Sequence, residues 1–289
     1  MKIYILEVPK KLQPKSQPFV YPAYNKDYGV EQDFYDYLQN NKLLLTSKPK
    51  DADWHYLPIF WTRWHLNHEY GNIGVKDLQS NVDKIIINPQ KTFTVCQYDD
   101  GPLVEIGDTV QFLSSRKDRK NRDAPLLASS ISRINRITRK KYLASFSGRL
   151  STSPFRIKMN NNLQNKKNIL INDGDIGVND YIRLLQSSYI SLAPRGYGGS
   201  SFRFYEAMQL GSVPMLIGDI DTRPFKNYID WDTVSIYSNN VNRISDLIDS
   251  YSLSQLKSMG KLAKKVYSDK LAYQKWCKLL LDELASIKI

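Results

Sequence analysis

The segment Ser191-Leu-Ala-Pro-Arg-Gly-Tyr-Gly-Gly-Ser-Ser-Phe-Arg-Phe-Tyr-Glu-Ala-Met-Gln-Leu-Gly-Ser-Val-Pro-Met-Leu-Ile-Gly-Asp219 says more about architecture than any other part of the chain. Tyr189 to Ala193 has the continuous apolar character of a buried strand, and Phe202 to Leu210 follows a glycine-rich loop as a helix. Gly211 is the residue that ends such a helix, and Val213-Pro-Met-Leu-Ile is the next strand. A strand that runs through a glycine-rich loop into a helix leaves the first N–H groups of that helix aimed outward as an anion site, and phosphate is its natural guest. Gly196, Gly198 and Gly199 permit close backbone approach, Ser200 and Ser201 add hydroxyl donors or an N-cap, and Arg195 and Arg203 add charged donors. Glu206 lies one turn beyond Phe202 on a neighbouring part of the same helix, where a carboxylate suits a ribose diol. The other reading of Arg203 and Glu206 is an ordinary i,i+3 surface pair. Spacing alone leaves both open.

Working outward, the same alternation recurs. Ile169-Leu-Ile reads as a strand and Val178 to Ser187 as a helix, with Lys141-Tyr-Leu-Ala-Ser-Phe-Ser-Gly-Arg as a first strand entering a turn. A second α/β unit thus begins near residue 141, and the expected organisation is 1–140, 141–265 and a helical tail 266–289. In the first unit Lys2 to Leu6, Asp53 to Phe60, Ile85 to Ile87 and Thr92 to Cys96 are expected strands, and Val30 to Leu45 and Leu126 to Ile137 are expected helices. Alternating strands and helices predict an α/β protein with largely parallel sheets.

Composition sets outer limits. The 289 residues are 42% hydrophobic and 24% charged, with 14 Gly and 13 Pro, which excludes disorder and collagen-like repeats. No apolar run approaches the roughly 18 residues of a membrane span, and the first residues are too short for a signal-peptide core. With only Cys96 and Cys277, a disulfide framework and a cysteine-built zinc site both fail on count. A cytoplasmic location, at most peripheral to a membrane, is the expectation. The net charge of +12 is concentrated: ten basic residues between Arg116 and Lys141 against Asp118 and Asp123 give a local +8. That stretch suits a polyanionic acceptor, an anionic lipid surface, or no partner at all.

The segment Pro194 to Asp219 closely resembles the exostosin family, glycosyltransferase family 47, with Arg195, Gly196, Gly198, Ser201, Arg203, Glu206, Ala207, Gly211 and Pro214 in the family's pattern. Ala52-Asp53 to Phe60, Tyr142 to Arg149, and Pro224-Phe with Ile229-Asp-Trp231 add looser matches. The resemblance implies a GT-B fold: two Rossmann-like domains facing a central cleft, with a C-terminal helix packing back on the first. It implies an inverting, metal-independent transferase that moves a sugar from a nucleotide diphosphate, a UDP-sugar as the expected donor, to a glycan, polysaccharide or lipid-linked oligosaccharide. No cofactor is expected. By the same resemblance Arg195 and Arg203 serve the donor's diphosphate or the nearby loop, Ser200 and Ser201 its phosphates and Glu206 its ribose, Gly196 and Phe202 belong to the same nucleotide-sugar site, and Gly148 and Arg149 face the diphosphate from the first turn of the second half.

Inversion needs a base for the acceptor hydroxyl. Asp100, in Tyr98-Asp99-Asp100-Gly101 after the Thr92 strand, is the best-placed carboxylate, and a turn-initiating Asp-Gly is its structural alternative. Asp173-Gly-Asp175 and Asp219-Ile-Asp221 are not read as metal sites, since the diphosphate charge has arginines and helix amides to meet it. His65-x-x-His68 lacks a carboxylate pattern, so Trp61, Trp64 and His65 are expected as aromatic packing or as a sugar-stacking surface. Two other readings are a non-catalytic glycan-binding relative and a basic nucleic-acid-binding protein. The second explains the charge but not the Pro194–Asp219 motif.

Overall fold

The computed structural model describes residues 1–22, 24–25, 29–131 and 139–288. The chain divides into two compact units, Met1–Ser129 with Tyr273–Ile289, and Ser130–Ala272.

In the first unit β1 (Ile3–Ile5), α1 (Gly29–Asn40), β2 (Trp54–Tyr56), α2 (Trp61–Asn67), α3 (Val75–Ile85), β3 (Thr92–Cys96), β4 (Val110–Leu113) and β5 (Arg122–Asp123) follow in order. The strands lie side by side in chain order and are parallel throughout. β3 is buried along its whole length, as a parallel strand covered on both faces must be. Two expectations change here. Ile85 is the end of α3, not the start of a strand, because Leu78, Val82 and Ile85 form one helical stripe against Leu57, Trp61 and Trp64. Residues 126–131 form no helix: Leu126, Leu127 and Ala128 are buried one after another, which a one-sided helix cannot do. The remainder of that expected helix, 132–137, lies outside the described residues.

In the second unit β6 (Tyr142–Ser147), α4 (Pro154–Leu163), β7 (Ile169–Asn172), α5 (Val178–Ser187), β8 (Ser188–Pro194), α6 (Phe202–Leu210), β9 (Val213–Ile217) and β10 (Ile236–Ser238) precede α7 (Ile244–Asp249) and α8 (Leu253–Val266). The sheet order is β7-β6-β8-β9-β10, again all parallel. Ala144, Phe146, Ile190, Leu192, Val213 and Met215 form the middle of its core. α6 ends as its sequence predicts, with Gly211 left-handed at φ 75°. α8 crosses that end closely, and a Cβ on Gly260 would stand 2.5 Å from the Gly211 carbonyl oxygen.

The last helix, α9 (Trp276–Ala285), belongs to the first unit. Its anchor is Asp33 of α1, fully buried, whose carboxylate accepts from the Gln274 amide (2.9 Å) and the Trp276 indole N–H (2.6 Å). Each half is therefore a Rossmann-like α/β unit built on its own parallel sheet.

Candidate functional site

Chain order in the second sheet fixes where a ligand belongs. From β6 the chain goes to β7 on one side, then returns to β8 on the other, so the direction of travel reverses between β6 and β8. The crevice outside the carboxyl ends of such a pair is where open α/β sheets take ligands. β6 ends at Ser147-Gly148-Arg149 and β8 at Pro194-Arg195-Gly196, with the head of α6 following. Nine predicted site residues come together there: Gly148, Arg149, Arg195, Gly196, Ser200, Ser201, Phe202, Arg203 and Glu206.

Arg203, on the first turn of α6, turns toward β6. It donates to the Ser147 carbonyl oxygen, and its guanidinium carbon stands 4.4 Å from the centre of the Phe146 ring and 5.8 Å from that of Tyr181. Its Nε is buried without a hydrogen-bond partner. Aromatic faces attract a guanidinium without neutralising it, whereas a carboxylate in their place would neutralise it. Gly148 makes this possible: at φ 150° its missing Cβ would lie 2.9 Å from Arg203 Nη2. Gly196 does the same for another arginine, with its absent Cβ 3.1 Å from Arg156 Nη2. Both glycines thus make room for guanidinium groups of the protein.

Arg156 is a residue the sequence offered no sign of. From the first turn of α4 it donates to the Arg149 carbonyl (3.0 Å) and the Arg195 carbonyl (3.3 Å), tying the two strand ends together, and it lies 5.6 Å from the same Phe146 ring. Arg195 braces its own loop through Gly198 O (3.2 Å) and Tyr197 O (3.3 Å) and pairs with Asp219. Arg149 is exposed. Ser200 and Ser201 are buried in the loop, and Ser201 occupies the N-cap of α6 without a capping bond from its own side chain.

Glu206 is 3% exposed and accepts a hydrogen bond from the Tyr181 hydroxyl of α5, so the Arg203–Glu206 surface-pair reading is set aside. Tyr181 also escaped the sequence reading, because only tertiary packing of α5 on α6 brings it to Glu206. Of the two Asp-x-Asp pairs, Asp173 and Asp175 accept from the backbone amides of Leu150 (2.8 Å) and Gly177 (2.9 Å), while the carboxylates of Asp219 and Asp221 are engaged by cations. Asp219 pairs with Arg195, and Asp221 with Arg223 and Lys226. Burial alone would raise the Asp221 carboxyl, but the Arg223 guanidinium and Lys226 hold it below its ordinary value.

The first unit carries the remaining candidate. Asp100 sits in the turn after β3, closed by Gly101 N–H to Tyr98 O (3.1 Å), and is half exposed in a salt bridge to Lys117. Beneath that turn His65 is fully buried, and loss of hydration pushes its pKa down to about 4. Trp61 and Trp64 are buried too, and His68 stacks on Trp64 at 3.9 Å. These rings are packing, not a sugar platform. Glu31 at the head of α1 is a further buried carboxyl. It accepts from the Gln97 amide (2.8 Å), the Thr62 amide (3.1 Å) and the Thr62 hydroxyl (2.9 Å), and burial pushes it up to about 7 against these donors. Among the described residues no group of three or more His, Cys, Asp or Glu is placed to hold a metal ion.

Residues 122–249, from β5 to α7, match the family model of the Exostosin GT47 domain. The chain is similar to the Exostosin-1 homolog of Caenorhabditis elegans, at 33% identity over 110 residues, which is 37% of this chain and 28% of that protein. It is similar to Exostosin-1 of Drosophila melanogaster at 38% identity over 73 residues, 25% of this chain and 10% of that one. It thus spans little more than a quarter of the first relative and a tenth of the second. A solved structure titled "Crystal Structure of TarM" overlaps 71% of this chain and 56% of its own at a TM-score of 0.40 and 8% identity. The motif around Arg195, Arg203 and Glu206 lies inside the region, residues 122–249, that matches the Exostosin GT47 domain.

Proposed function

We propose that the chain is an inverting glycosyltransferase of GT-B type, which transfers a sugar from a nucleotide diphosphate, UDP first among candidates, to a glycan or lipid-linked oligosaccharide without a metal ion. The carrying observation is the convergence of Arg195, Arg203 and Glu206 at the β6/β8 reversal within the exostosin-matched region. In this reading the diphosphate lies over the head of α6, where backbone N–H groups and the Arg203 guanidinium meet the charge that develops on the leaving group. Glu206 takes the ribose. The first unit supplies the acceptor side, with Asp100 receiving the proton of the attacking hydroxyl. Release from Lys117 as the acceptor binds would expose that carboxylate.

The basic stretch gives the nucleic-acid reading little support. Arg116 pairs with Asp123, Lys117 with Asp100, Arg122 with Glu283, and Lys140 donates to the Ser188 and Gly211 carbonyls. Arg133 and Arg136 lie outside the described residues.

The test is a thermal-shift and binding screen with UDP, GDP and their sugars. At a concentration of about a hundred times Kd, a true donor nucleotide stabilises the wild type by about 2.7 kcal/mol. Glu206→Ala should weaken binding by about tenfold or more, as loss of a hydrogen bond to a charged group does, and EDTA should change nothing. No binding of any nucleotide diphosphate at millimolar concentration overturns the proposal.

A further inference from the structure

We infer that Phe19 and Tyr70 form a stacking platform for a neutral sugar ring of the acceptor, beside the turn that carries Asp100. The inference deepens the acceptor side of the reading above and rests on it.

Three segments of the first unit meet at this place. Phe19 comes from the stretch between β1 and α1, Tyr70 from the loop after α2, and Leu103 from the turn after β3. The Phe19 and Tyr70 rings lie 5.9 Å apart, tilted by 41°. They are 44% and 56% exposed, and Leu103, whose side chain stands where a Cβ on Gly71 would be, is 39% exposed. Trp61, Trp64 and His65 are sealed in the core, whereas these two rings stand in the open. Single exposed apolar residues are ordinary on a protein surface, but a patch gathered from three segments marks a place of contact.

The backbone leaves its ordinary conformations here. Of the five non-glycine residues with left-handed φ among the described residues, Glu69 (51°), Tyr70 (60°) and Leu103 (59°) all belong to these two loops. Such conformations are uncommon outside glycine and gather where a ligand is clamped. Tyr98 fastens the loops together. Its hydroxyl donates to the Tyr70 carbonyl (3.1 Å), and its own carbonyl accepts from the Gly101 N–H (3.1 Å) in the turn that carries Asp100. Burial, with the nearby charges of Asp100 and Asp99, pushes that phenol up to about 12, so it stays a donor at neutral pH.

The chemistry selects the guest. A sugar ring has an apolar C–H face and a rim of hydroxyls, so it calls for aromatic surface with hydrogen-bonding groups beside it. The exposed carboxylates of Glu69 and Asp100 are acceptors for such hydroxyls. Residues 68–74 and 97–103 contain Glu69, Asp99 and Asp100 and no Lys or Arg, while Lys117 reaches Asp100 from beyond β4. This excess of negative charge repels a phosphate, a sulfate or a uronate, so the sugar is a neutral one. A protein partner fails on size, because three side chains fall far short of the roughly 1,600 Å² that a stable interface buries.

The experiment titrates the full chain with maltotriose, cellotriose and triacetylchitotriose, and with trigalacturonate as their acidic counterpart, detecting binding by saturation-transfer NMR and measuring Kd by calorimetry. At least one neutral trisaccharide should bind at millimolar concentration or below, and more tightly than trigalacturonate. Phe19→Ala and Tyr70→Ala should each weaken that binding by about tenfold. Phe19→Tyr and Tyr70→Phe keep the rings and should bind as the wild type does. Both positions are exposed, so urea midpoints should stay at the wild-type value. The two residues lie in separate segments, so either alanine variant carries the test if the other fails to fold. Unchanged binding in the alanine variants overturns the inference, as does a preference for trigalacturonate or the absence of any neutral sugar bound. The nucleotide screen above separates the two readings. A nucleotide diphosphate bound without a neutral sugar removes the platform and leaves the donor site, whereas a sugar bound through these rings without any nucleotide keeps the platform and fails the transferase reading.

Discussion

At the scale of the residue, what could be read in advance was residue type and spacing. Arg195, Arg203 and Glu206 stand out in the sequence because strand, glycine loop and helix fix their positions relative to one another over a dozen residues. Arg156 and Tyr181 do not, because each reaches the site from another helix and no local pattern marks them. Gly196 was legible as a close-approach position and Gly148 only through the family resemblance, and at neither did the sequence say what approaches. For Gly148 and Gly196 it is an arginine of the same unit. His65 yields a prediction at this scale. Its pKa of about 4 in the fold lies below the ordinary 6.5, so the unfolded chain binds more protons between these values and stability falls as pH drops from about 6.5 to 4. Glu31, raised from 4.5 to about 7, works oppositely: its contribution is present at low pH and is lost as pH rises through 7. The two partly cancel, so urea titrations of wild type and Glu31→Gln should be compared point by point. The variant should lose more stability than the wild type between pH 6.5 and 4.5, because His65 then acts unopposed. Parallel curves would mean that Glu31 does not change its protonation in this range.

At the scale of the element, α5, β8, α6 and β9 were legible almost to the residue, since each has an unambiguous period and a punctuating Gly or loop. The failures have one cause. Ile85-Ile-Ile has the composition of a strand, and residues 126–131 have enough apolar side chains for a helix, but neighbours decide the outcome. Ile85 completes the stripe of α3, while Leu126, Leu127 and Ala128 are buried in succession, and the Tyr273 hydroxyl donates to the Leu127 carbonyl (3.1 Å). Packing of elements also sets a stability prediction. Gly260 of α8 lies so close to the Gly211 carbonyl that a methyl group has no place to go, and the obstacle is backbone. Gly260→Ala gains helix propensity of about 1 kcal/mol, but overpacking costs about 1–3 kcal/mol, so a net loss is expected. Chemical denaturation of the variant measures it, and a stabilised Gly260→Ala would mean that α8 shifts without penalty.

At the scale of the whole molecule the charge of +12 gains a different meaning. Part of the basic stretch is internal structure: the Arg116 and Asp123 side chains are about one-tenth exposed and joined by two bonds, at 2.7 and 2.9 Å. Breaking such a pair leaves a buried charge without its counter-ion, at a cost of about 3–5 kcal/mol. Arg116→Gln should therefore lower the unfolding free energy by that amount, read as a lower denaturation midpoint, and leave nucleotide binding by the folded fraction unchanged. An unaltered midpoint would return Arg116 to the list of free surface cations. The sequence could count these charges but not pair them, because partners such as Arg122 and Glu283 stand 161 positions apart.

The buried Asp33 has a temporal consequence. Residues 130–272 are one uninterrupted run, whereas the first unit needs Tyr273–Ile289 to place Trp276 and the Gln274 amide on that carboxylate. A ribosome makes the chain from its amino end, so during synthesis the first unit waits without the Trp276 indole and the Gln274 amide that bond the Asp33 carboxylate. The second unit, begun later, is complete once residue 272 has been made, before the last segment of the first unit exists. The order of translation and the order of completion are thus reversed in this polypeptide, and the half that emerges first is the half that finishes last.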